Sequence, residues 1–476
     1  MIGGRGHPRF LGSARRRERT AGPTGRAYAP AVAGWARTRA RERIDEICGS
    51  LVDATALRRG VLDAMRGVVE FDAFVWLLTD PVTTVGVAPF AQVPCLPELP
   101  RLIKAKYGTG LNRWTTLMGA GSPVGLLRDT VGGALIRSRV WREVMSRYAV
   151  GDVASTVFAD RFGCWGFLDL WRDDRRGPFS RADAEFLTQV APAVATALRL
   201  CQSRAFVEVA TPHRQEHGPV VLTLDDDLRI LSRTSASKAW LERLLPPVPS
   251  EQAVPASVYN VAAQLLAAES GVDDHPASAR VHLADGFWLT VRAARLSEEP
   301  TRHPEPEPEV VRTAEVVRTA EVVRTAEVVR TAEVVRTAEL GGGPASHREP
   351  PRPGLSGGVP ADTVLSIDVP AYRPSVGPTL VVTIEETSAA EQLELFARTF
   401  GLTPREDELL GLLAIGGHTR SIARQMGVSE LTVQDHLKSI FDKTDAHDRV
   451  SVLSRALGTR RGPALEDRRS SDGGRA

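Results

Sequence analysis

The sequence has few cysteines, no long apolar runs and almost no net charge, and each shortage excludes a class of protein. The four cysteines, Cys48, Cys95, Cys164 and Cys201, lie far apart in 476 residues, so neither a zinc site nor a disulfide framework is expected. The apolar runs are shorter than the roughly 20 residues of a membrane span, and no signal peptide precedes them. The net charge of +2 predicts no nucleic-acid partner by itself. We expect a cytoplasmic protein without membrane contact.

Motifs of several enzyme classes are also missing. The sequence has no GxxxxGK[ST] phosphate loop, no HExxH and no histidine-kinase block with its ATP lid. The glycine patterns GCWGF and GSPVG have no nucleophile elbow around them. No histidine occurs between His7 and His213, which argues against a haem held by a proximal histidine in that stretch. We therefore predict no enzyme, no catalytic residue, no metal site and no cofactor.

Some stretches have the composition of disordered chain. Residues 1–40 are Arg-rich with few acidic residues, which predicts a solvated arm; the alternatives are contact with nucleic acid or acidic lipid, or a wrongly assigned start codon. Residues 309–338 are five copies of EVVRTA within a low-complexity stretch, 298–374. A six-residue period moves the Val pair to a new helix face in each copy, so no apolar stripe forms. We predict a disordered insertion there and a disordered tail over 464–476.

Residues 41–200 have patterns of both helices and strands. AFVWLLTD and FGCWGFLDLWRDD are typical of buried strands. Ser180 is a good N-cap, with Asp183 at the third helical position, for a long helix that leaves this region. The order of strand, charged turn, PFS and exit helix resembles a GAF domain, a sensory fold with an antiparallel sheet between helices. The resemblance implies dimerisation or the binding of a small molecule, and no motif identifies the ligand or its residues.

A second sheet is predicted over 205–297 together with 375–388. GPVVLTLDDDLRILSRT suggests two strands, SASKAWLERLL a short helix and GPTLVVTIEETS a later strand. ARVHLADGFWLTVRAARL suggests a hairpin that turns at the Asp285-Gly286 pair. This order resembles a PAS-like sensor domain. A plain α+β spacer that binds no ligand is the alternative.

Residues 398–463 have the pattern of four short helices. The first begins with a capping box in which Thr403 is the cap, Pro404 takes the first helical position and Glu406 the third. We expect Thr419 to cap the second helix and Ser429 to cap the third. Glycines end the first two helices. A fourth helix is predicted from about residue 448.

The third of these helices, 430–442, has two different faces. One face is apolar and must pack against the preceding helices; its residues are Val433, Leu437, Ile440 and Phe441. The other face presents Gln434, Asp435 and Lys438. A short helix, a glycine turn and a capped helix with a polar outer face is the geometry that places a recognition helix in the major groove of DNA.

These residues closely resemble a LuxR-type helix-turn-helix domain, through LTPRE, LLAIGG and IARQMGVSELTVQDHLKSIFDK at the family's spacing. The resemblance implies a four-helix domain that binds double-stranded promoter DNA at a pair of half-sites, as a homodimer that the fourth helix supports. The positions that the family uses for bases are here Gln434, Asp435 and Lys438. Those that contact phosphates or support the helix are Thr419, Arg420 and Thr432.

Two features distinguish this region from a strongly basic DNA-binding domain. Gln434 stands where the family usually has lysine, and its amide suits adenine, whereas Asp435 suits the exocyclic amine of cytosine but repels phosphate. Basic and acidic residues are equal in number over 401–460. A formally neutral domain predicts weak non-specific binding and a need for dimerisation.

The predicted fold class is therefore multidomain α+β, with GAF-like and PAS-like antiparallel sheets followed by an all-α four-helix domain. The predicted function is transcription regulation, gated by a small-molecule ligand or a protein partner at the sensor domains. A sensory scaffold with a degenerate helix-turn-helix is the alternative.

Overall fold

The computed structural model describes residues 28–50, 53–206, 220–234, 237, 241, 255–283, 288–296 and 379–458. Within these ranges the chain forms two five-stranded antiparallel sheets, and a series of helices follows the second sheet. The secondary structure of these ranges confirms the predicted α+β fold class. None of the helices in these ranges is long and apolar enough to cross a membrane.

The first sheet has the strand order β2-β1-β5-β4-β3. Its strands are β1 Ala73–Thr79, β2 Gly86–Gln92, β3 Val124–Leu126, β4 Val150–Asp160 and β5 Gly163–Asp173. The long helices of this region are α1 Tyr28–Gly49, α2 Ala54–Arg66, α3 Leu99–Tyr107 and α7 Arg181–Arg204. Between α3 and α7 lie three short helices, α4 Trp114–Met118, α5 Leu127–Thr130 and α6 Arg139–Glu143. One buried cluster joins α1, α2 and α7 to the sheet through residues such as Ile44, Val61, Leu168 and Val190.

Helix α7 begins as predicted, with a capping box. The Ser180 hydroxyl accepts from the backbone N–H of Asp183, and the Asp183 carboxylate accepts from the N–H of Ser180. The same carboxylate accepts a bond from Arg37 of α1 at 2.9 Å. The residue that completes the capping box of α7 therefore also binds α1.

Helix α1 corrects the predicted extent of the disordered arm. The helix starts at Tyr28, so the prediction of disorder over 1–40 is wrong for residues 28–40. The Arg-rich composition suggested a solvated chain, but Arg37 is paired with Asp183 and Ala40 packs against the buried core. Residues 1–27 lie outside the described ranges.

The second sheet has the strand order β7-β6-β10-β9-β8. Its strands are β6 Val220–Leu224, β7 Ile230–Arg233, β8 Ser278–His282, β9 Trp288–Leu296 and β10 Thr379–Glu386, and helix α8 spans Ala256–Glu269. The late strand predicted from GPTLVVTIEETS is confirmed. Its place at the centre of the sheet was not predicted: Val382 pairs with Leu222 on one side and Ala293 on the other. The Asp285-Gly286 turn, most of the SASKAWLERLL helix, the EVVRTA insertion and the tail lie outside the described residues.

The two sheets share a buried core. Leu77 and Phe167 of the first sheet belong to one apolar cluster with Val261 of α8 and Leu222 of the second sheet. The identification of the two sheets as GAF-like and PAS-like domains stays a prediction. Their common core shows that neither sheet is packed as an isolated unit.

Two buried ion pairs also connect the sheets. Arg113, which is fully buried, donates to Asp273 at 2.7 Å and to Gln264 at 2.7 Å. Arg280 of β8 donates to both carboxylate oxygens of Asp80, at 2.6 and 2.7 Å. Because removing one partner of a buried pair leaves an uncompensated charge, these contacts hold the sheets in one arrangement.

Five helices follow the second sheet: α9 Ala389–Thr399, α10 Pro404–Ala414, α11 Thr419–Met426, α12 Glu430–Thr444 and α13 Arg449–Leu457. Helix α9 was not predicted, although Ser388 and Glu391 form a capping box at its start. The last four helices agree with the predicted pattern. They share one buried cluster with α9, in which Phe396, Leu409, Ile422, Val433 and Val452 are essentially inaccessible to solvent.

Candidate nucleic-acid interface

Helices α11 and α12 are joined by a tight turn at Gly427. This glycine has a φ of +66°, the left-handed conformation that ends α11, and the N–H of Val428 donates back to the carbonyl of Ala423 at 2.9 Å. A side chain with a Cβ rarely adopts this φ, so glycine suits the position. Ser429 then caps α12 as predicted, since its hydroxyl accepts from the N–H of Thr432 at 3.1 Å.

The cap predicted for α11 is wrong. The N-cap is His418, whose side chain makes no capping hydrogen bond, and Thr419 is the first helical residue. The Thr419 hydroxyl instead accepts a bond from Arg449 of α13 at 2.6 Å. A contact to another helix has therefore replaced the local cap that the sequence suggested.

Helix α12 is held by its apolar face. Val433 and Ile440 are 0% exposed and Leu437 is 5% exposed, in the cluster that also contains Leu409 of α10 and Ile422 of α11. The opposite face is therefore directed away from the other helices of this region.

The structure places the six predicted DNA-binding residues in two groups. Four of them are exposed: Arg420, Gln434, Asp435 and Lys438. Thr419 and Thr432 are half-buried and make contacts within the region, Thr419 to Arg449 and Thr432 to the Ser429 hydroxyl at 2.9 Å. The exposed group is available to a ligand, whereas the two threonines support the helices that carry it.

One exposed residue on this side was missed by the sequence analysis. Leu431 is 68% exposed and precedes Gln434, Asp435 and Lys438 by three, four and seven residues, the spacing that places side chains on one face of a helix. The helical spacing of Leu431 is visible in the sequence. An apolar side chain, however, does not by itself indicate a contact with DNA.

A buried carboxylate joins α12 to α10. Glu406 is 3% exposed and accepts bonds from the Ser439 hydroxyl, the Lys443 ammonium and the N–H of Thr403, each at 2.6 Å. Burial raises the pKa of Glu406, but these bonds outweigh burial and lower the pKa to about 2. The carboxylate is therefore ionised at neutral pH and fixes the orientation of α12. The sequence indicated the capping role of Glu406 but not its two bonds to α12.

Helix α9 connects this region to the sheets. Phe396 of α9 packs edge-on against Phe206 at the end of α7, with 5.3 Å between ring centroids, and Phe206 stacks on Trp288 of β9 at 5.2 Å. Arg199 of α7 donates to the carbonyl of Thr399 at 3.1 Å. The helices that carry the exposed face are thus anchored to both sheets.

One group in the described residues has the side-chain types of a metal site, namely Asp273, Asp274 and His275. Asp273 already accepts from Arg113 and bonds His275 Nδ1 at 2.6 Å. The bond to Asp273 raises the pKa of His275. We assign this group to the packing of the sheets.

Residues 401–456 match the family model for bacterial regulatory proteins of the luxR family. These residues form a LuxR-family helix-turn-helix domain. The chain is 41% identical over 54 residues to the "Monoamine regulon transcriptional regulator" of Klebsiella aerogenes. It is 30% identical over 63 residues to the "Transcriptional regulatory protein DesR" of Bacillus subtilis (strain 168).

Both similarities cover a short segment of each chain. They cover 11% and 13% of this chain, and 24% and 32% of the two relatives. The family model matches residues 401–456 only, which lie after both sheets. The predicted resemblance to a LuxR-type helix-turn-helix domain is therefore confirmed.

Proposed function

We propose that this protein regulates transcription by binding promoter DNA, with α12 of the LuxR-family domain in the major groove. The observation that carries the proposal is the two-sided packing of α12. Val433, Leu437 and Ile440 are buried, whereas Gln434 and Lys438 are exposed on the opposite face. A helix fixed in this way after a glycine turn can enter a groove without rearrangement. We expect no catalytic activity.

We assign the exposed residues to separate contacts. The Gln434 amide can both donate to and accept from adenine, the Asp435 carboxylate accepts from the amine of cytosine, and the Lys438 ammonium donates to guanine. Arg420 contacts phosphate, which positions the domain without selecting a sequence. Thr419 and Thr432 act through the helices, because their hydroxyls are engaged within the domain.

We further propose that the protein binds a pair of half-sites as a homodimer. The charges of residues 401–460 balance, which predicts weak attraction to the DNA backbone. The basic residues are Arg405, Arg420, Arg424, Lys438, Lys443, Arg449, Arg455 and Arg460, and the acidic residues are Glu406, Asp407, Glu408, Glu430, Asp435, Asp442, Asp445 and Asp448. Two domains bound together add their specific contacts. Helix α13 offers an apolar contact for such a dimer, because the side chain of Val450 is 59% exposed.

A ligand or a protein partner at the two sheets gates DNA binding in this proposal. Arg280 supports this coupling, because it holds Asp80 of the first sheet and also donates to the carbonyl of Glu391 in α9 at 3.1 Å. Phe396 of the same helix lies in the core of the LuxR-family domain. A shift between the sheets would therefore displace α9 and the helices after it.

Replacement of Lys438 by alanine tests the proposal. The full-length chain is used to select duplexes from a random pool, and binding of the selected duplex is measured by fluorescence anisotropy at fixed salt. We expect Lys438→Ala to weaken binding by about 5- to 150-fold, which corresponds to about 1–3 kcal/mol for one base contact.

Arg181→Ala is the matched control. It removes one positive charge from α7, where the side chain is exposed and paired with Glu185, and binding should stay within about twofold of the wild-type value. A folded full-length chain that selects no duplex would instead support the sensory scaffold.

A further inference from the structure

The outward face of α12 contains one large apolar side chain. Leu431 is 68% exposed, the highest value for any large apolar residue in the described part of the chain. It lies in none of the apolar clusters there, whereas Val433, two residues later, is fully buried. The position of Leu431 is therefore not explained by packing within the described part of the chain.

Leu431 belongs to the same stripe as the three residues assigned to bases. Leu431, Gln434, Asp435 and Lys438 are at positions i, i+3, i+4 and i+7, and all four are exposed. Leu431 is also the second residue of α12. The first residues of a recognition helix are those that contact base edges.

We propose that Leu431 contacts the C5-methyl group of a thymine in each half-site. This inference rests on the proposed DNA-binding function. The base edges in the major groove present hydrogen-bonding atoms at every pair but only one apolar group, the thymine methyl. A leucine placed against polar base atoms would desolvate them without replacing their hydrogen bonds, whereas a leucine against the methyl removes apolar surface from water.

The helix geometry limits where this thymine lies. Leu431 precedes Gln434 and Asp435 by roughly 4.5–6 Å along the helix axis, and base pairs are spaced by about 3.4 Å. The thymine is therefore within about two base pairs of the pair that Gln434 or Asp435 contacts. It lies on the side toward the N-terminal end of α12.

Contact with a second copy of the chain is less consistent with the surroundings of Leu431. The neighbouring exposed side chains are polar or charged: Glu430, Gln434 and Asp435. Protein interfaces are depleted of charge at their centres. A single leucine among such residues is better suited to the mixed surface of the major groove.

Replacement of thymine by deoxyuridine tests the proposal, because it removes only the methyl group. Each thymine of the duplex selected by the full-length chain is replaced in turn, and dissociation constants are measured by fluorescence anisotropy for the wild type and for Leu431→Ala. We expect one thymine in each half-site to lose about fourfold in wild-type affinity, the equivalent of about 0.8 kcal/mol for a buried methyl. Leu431→Ala should bind the thymine and uracil duplexes equally at that position.

Leu431→Met serves as the apolar control and should keep part of the sensitivity to the methyl group. Leu431→Ala should also keep the wild-type melting temperature, since the side chain is exposed.

Indifference of the wild type to uracil at every position, or a selected half-site without thymine, would overturn the inference while DNA binding stands. A change of oligomeric state in Leu431→Ala would assign the residue to an interface between copies. A chain that selects no duplex would refute the proposed function together with this inference.

Discussion

At the scale of single residues, Glu406 shows how one side chain can serve two helices. It completes the capping box of α10 and accepts bonds from Ser439 and Lys443 of α12. The orientation of α12 therefore depends on a carboxylate outside its exposed face.

We predict that Glu406→Gln lowers the stability of the LuxR-family domain by about 1–3 kcal/mol at pH 7, because a buried charged hydrogen bond is lost. The lowered pKa of Glu406, about 2, stabilises the fold above the ordinary pKa of glutamate, and this stabilisation is lost as pH falls from about 5 to about 2. Thermal unfolding at several pH values should therefore show the two proteins converging in acid.

Glu408→Gln is the control for this change. Glu408 is exposed and paired with Arg405 on the same helix, so its removal should cost no more than about 1 kcal/mol. An equal loss in both variants, or a difference that persists at about pH 2, would contradict the assigned role of Glu406.

Individual residues also show which predictions the sequence supports. The caps at Ser180, Thr403 and Ser429 were predicted because the partners of a cap lie within three residues in the chain. The cap at Thr419 was wrong because its hydroxyl is bonded to Arg449, thirty residues away. Local chemistry is visible in the sequence, whereas a competing distant partner is not.

At the scale of elements, the turn between α11 and α12 depends on the conformation of Gly427. Apart from Gly427 itself and the two adjoining residues, no atom of the described residues lies within 4 Å of the position that a Cβ would take there. The requirement for glycine is therefore one of backbone conformation. We predict that Gly427→Ala destabilises the domain by about 1–2 kcal/mol, the cost of a left-handed φ for a residue with a Cβ. The change is measured by thermal unfolding.

Gly67→Ala is the matched control, since Gly67 has a φ of −74° and also has open space at the Cβ position. It should be neutral or stabilise by up to about 1 kcal/mol. A neutral Gly427→Ala would show that the turn tolerates another conformation.

The start of helix α9 is marked in the sequence by a capping box. Ser388 and Glu391 have the spacing of a capping box, and Leu395 and Phe396 of the following helix are fully buried. The packing partners, Phe206 and Trp288, come from distant parts of the chain. The helix itself could have been predicted, but its position between the sheets and the LuxR-family domain could not.

At the scale of the whole molecule, the shared core of the two sheets was not predictable from local patterns. The pairs Arg113–Asp273 and Arg280–Asp80 join residues 160 and 200 positions apart. Each partner is a charged residue, and nothing in its own segment indicates burial. Strands β1, β5 and β6–β10 were predicted from their patterns, but β2, β3 and β4 were not. The packing of one sheet on the other depends on these distant contacts.

The low-complexity insertion connects two ends that are already adjacent. Leu296 at the end of β9 pairs with Thr379 at the start of β10, so residues 297–378 join neighbouring strands of a hairpin. We predict that replacing residues 298–374 by a short turn leaves the melting temperature unchanged or slightly raised, since each halving of a loop lowers its closure cost by about 0.6 kcal/mol. A fall of many degrees in thermal unfolding would show that the insertion packs. Replacement of the EVVRTA copies by a Gly/Ser linker of equal length is the control for sequence.

The central place of β10 in the second sheet has a consequence for biosynthesis. A ribosome makes β6, β7, β8 and β9 before the insertion, yet β6 and β9 meet only through β10. A nascent chain that ends within the insertion therefore has two open strand edges, which are sites for unwanted pairing with other chains. Helix α9 follows β10 after two residues, so the strand that closes these edges emerges just ahead of α9 and the LuxR-family domain. The strand that completes the sheet is thus synthesised before the LuxR-family domain.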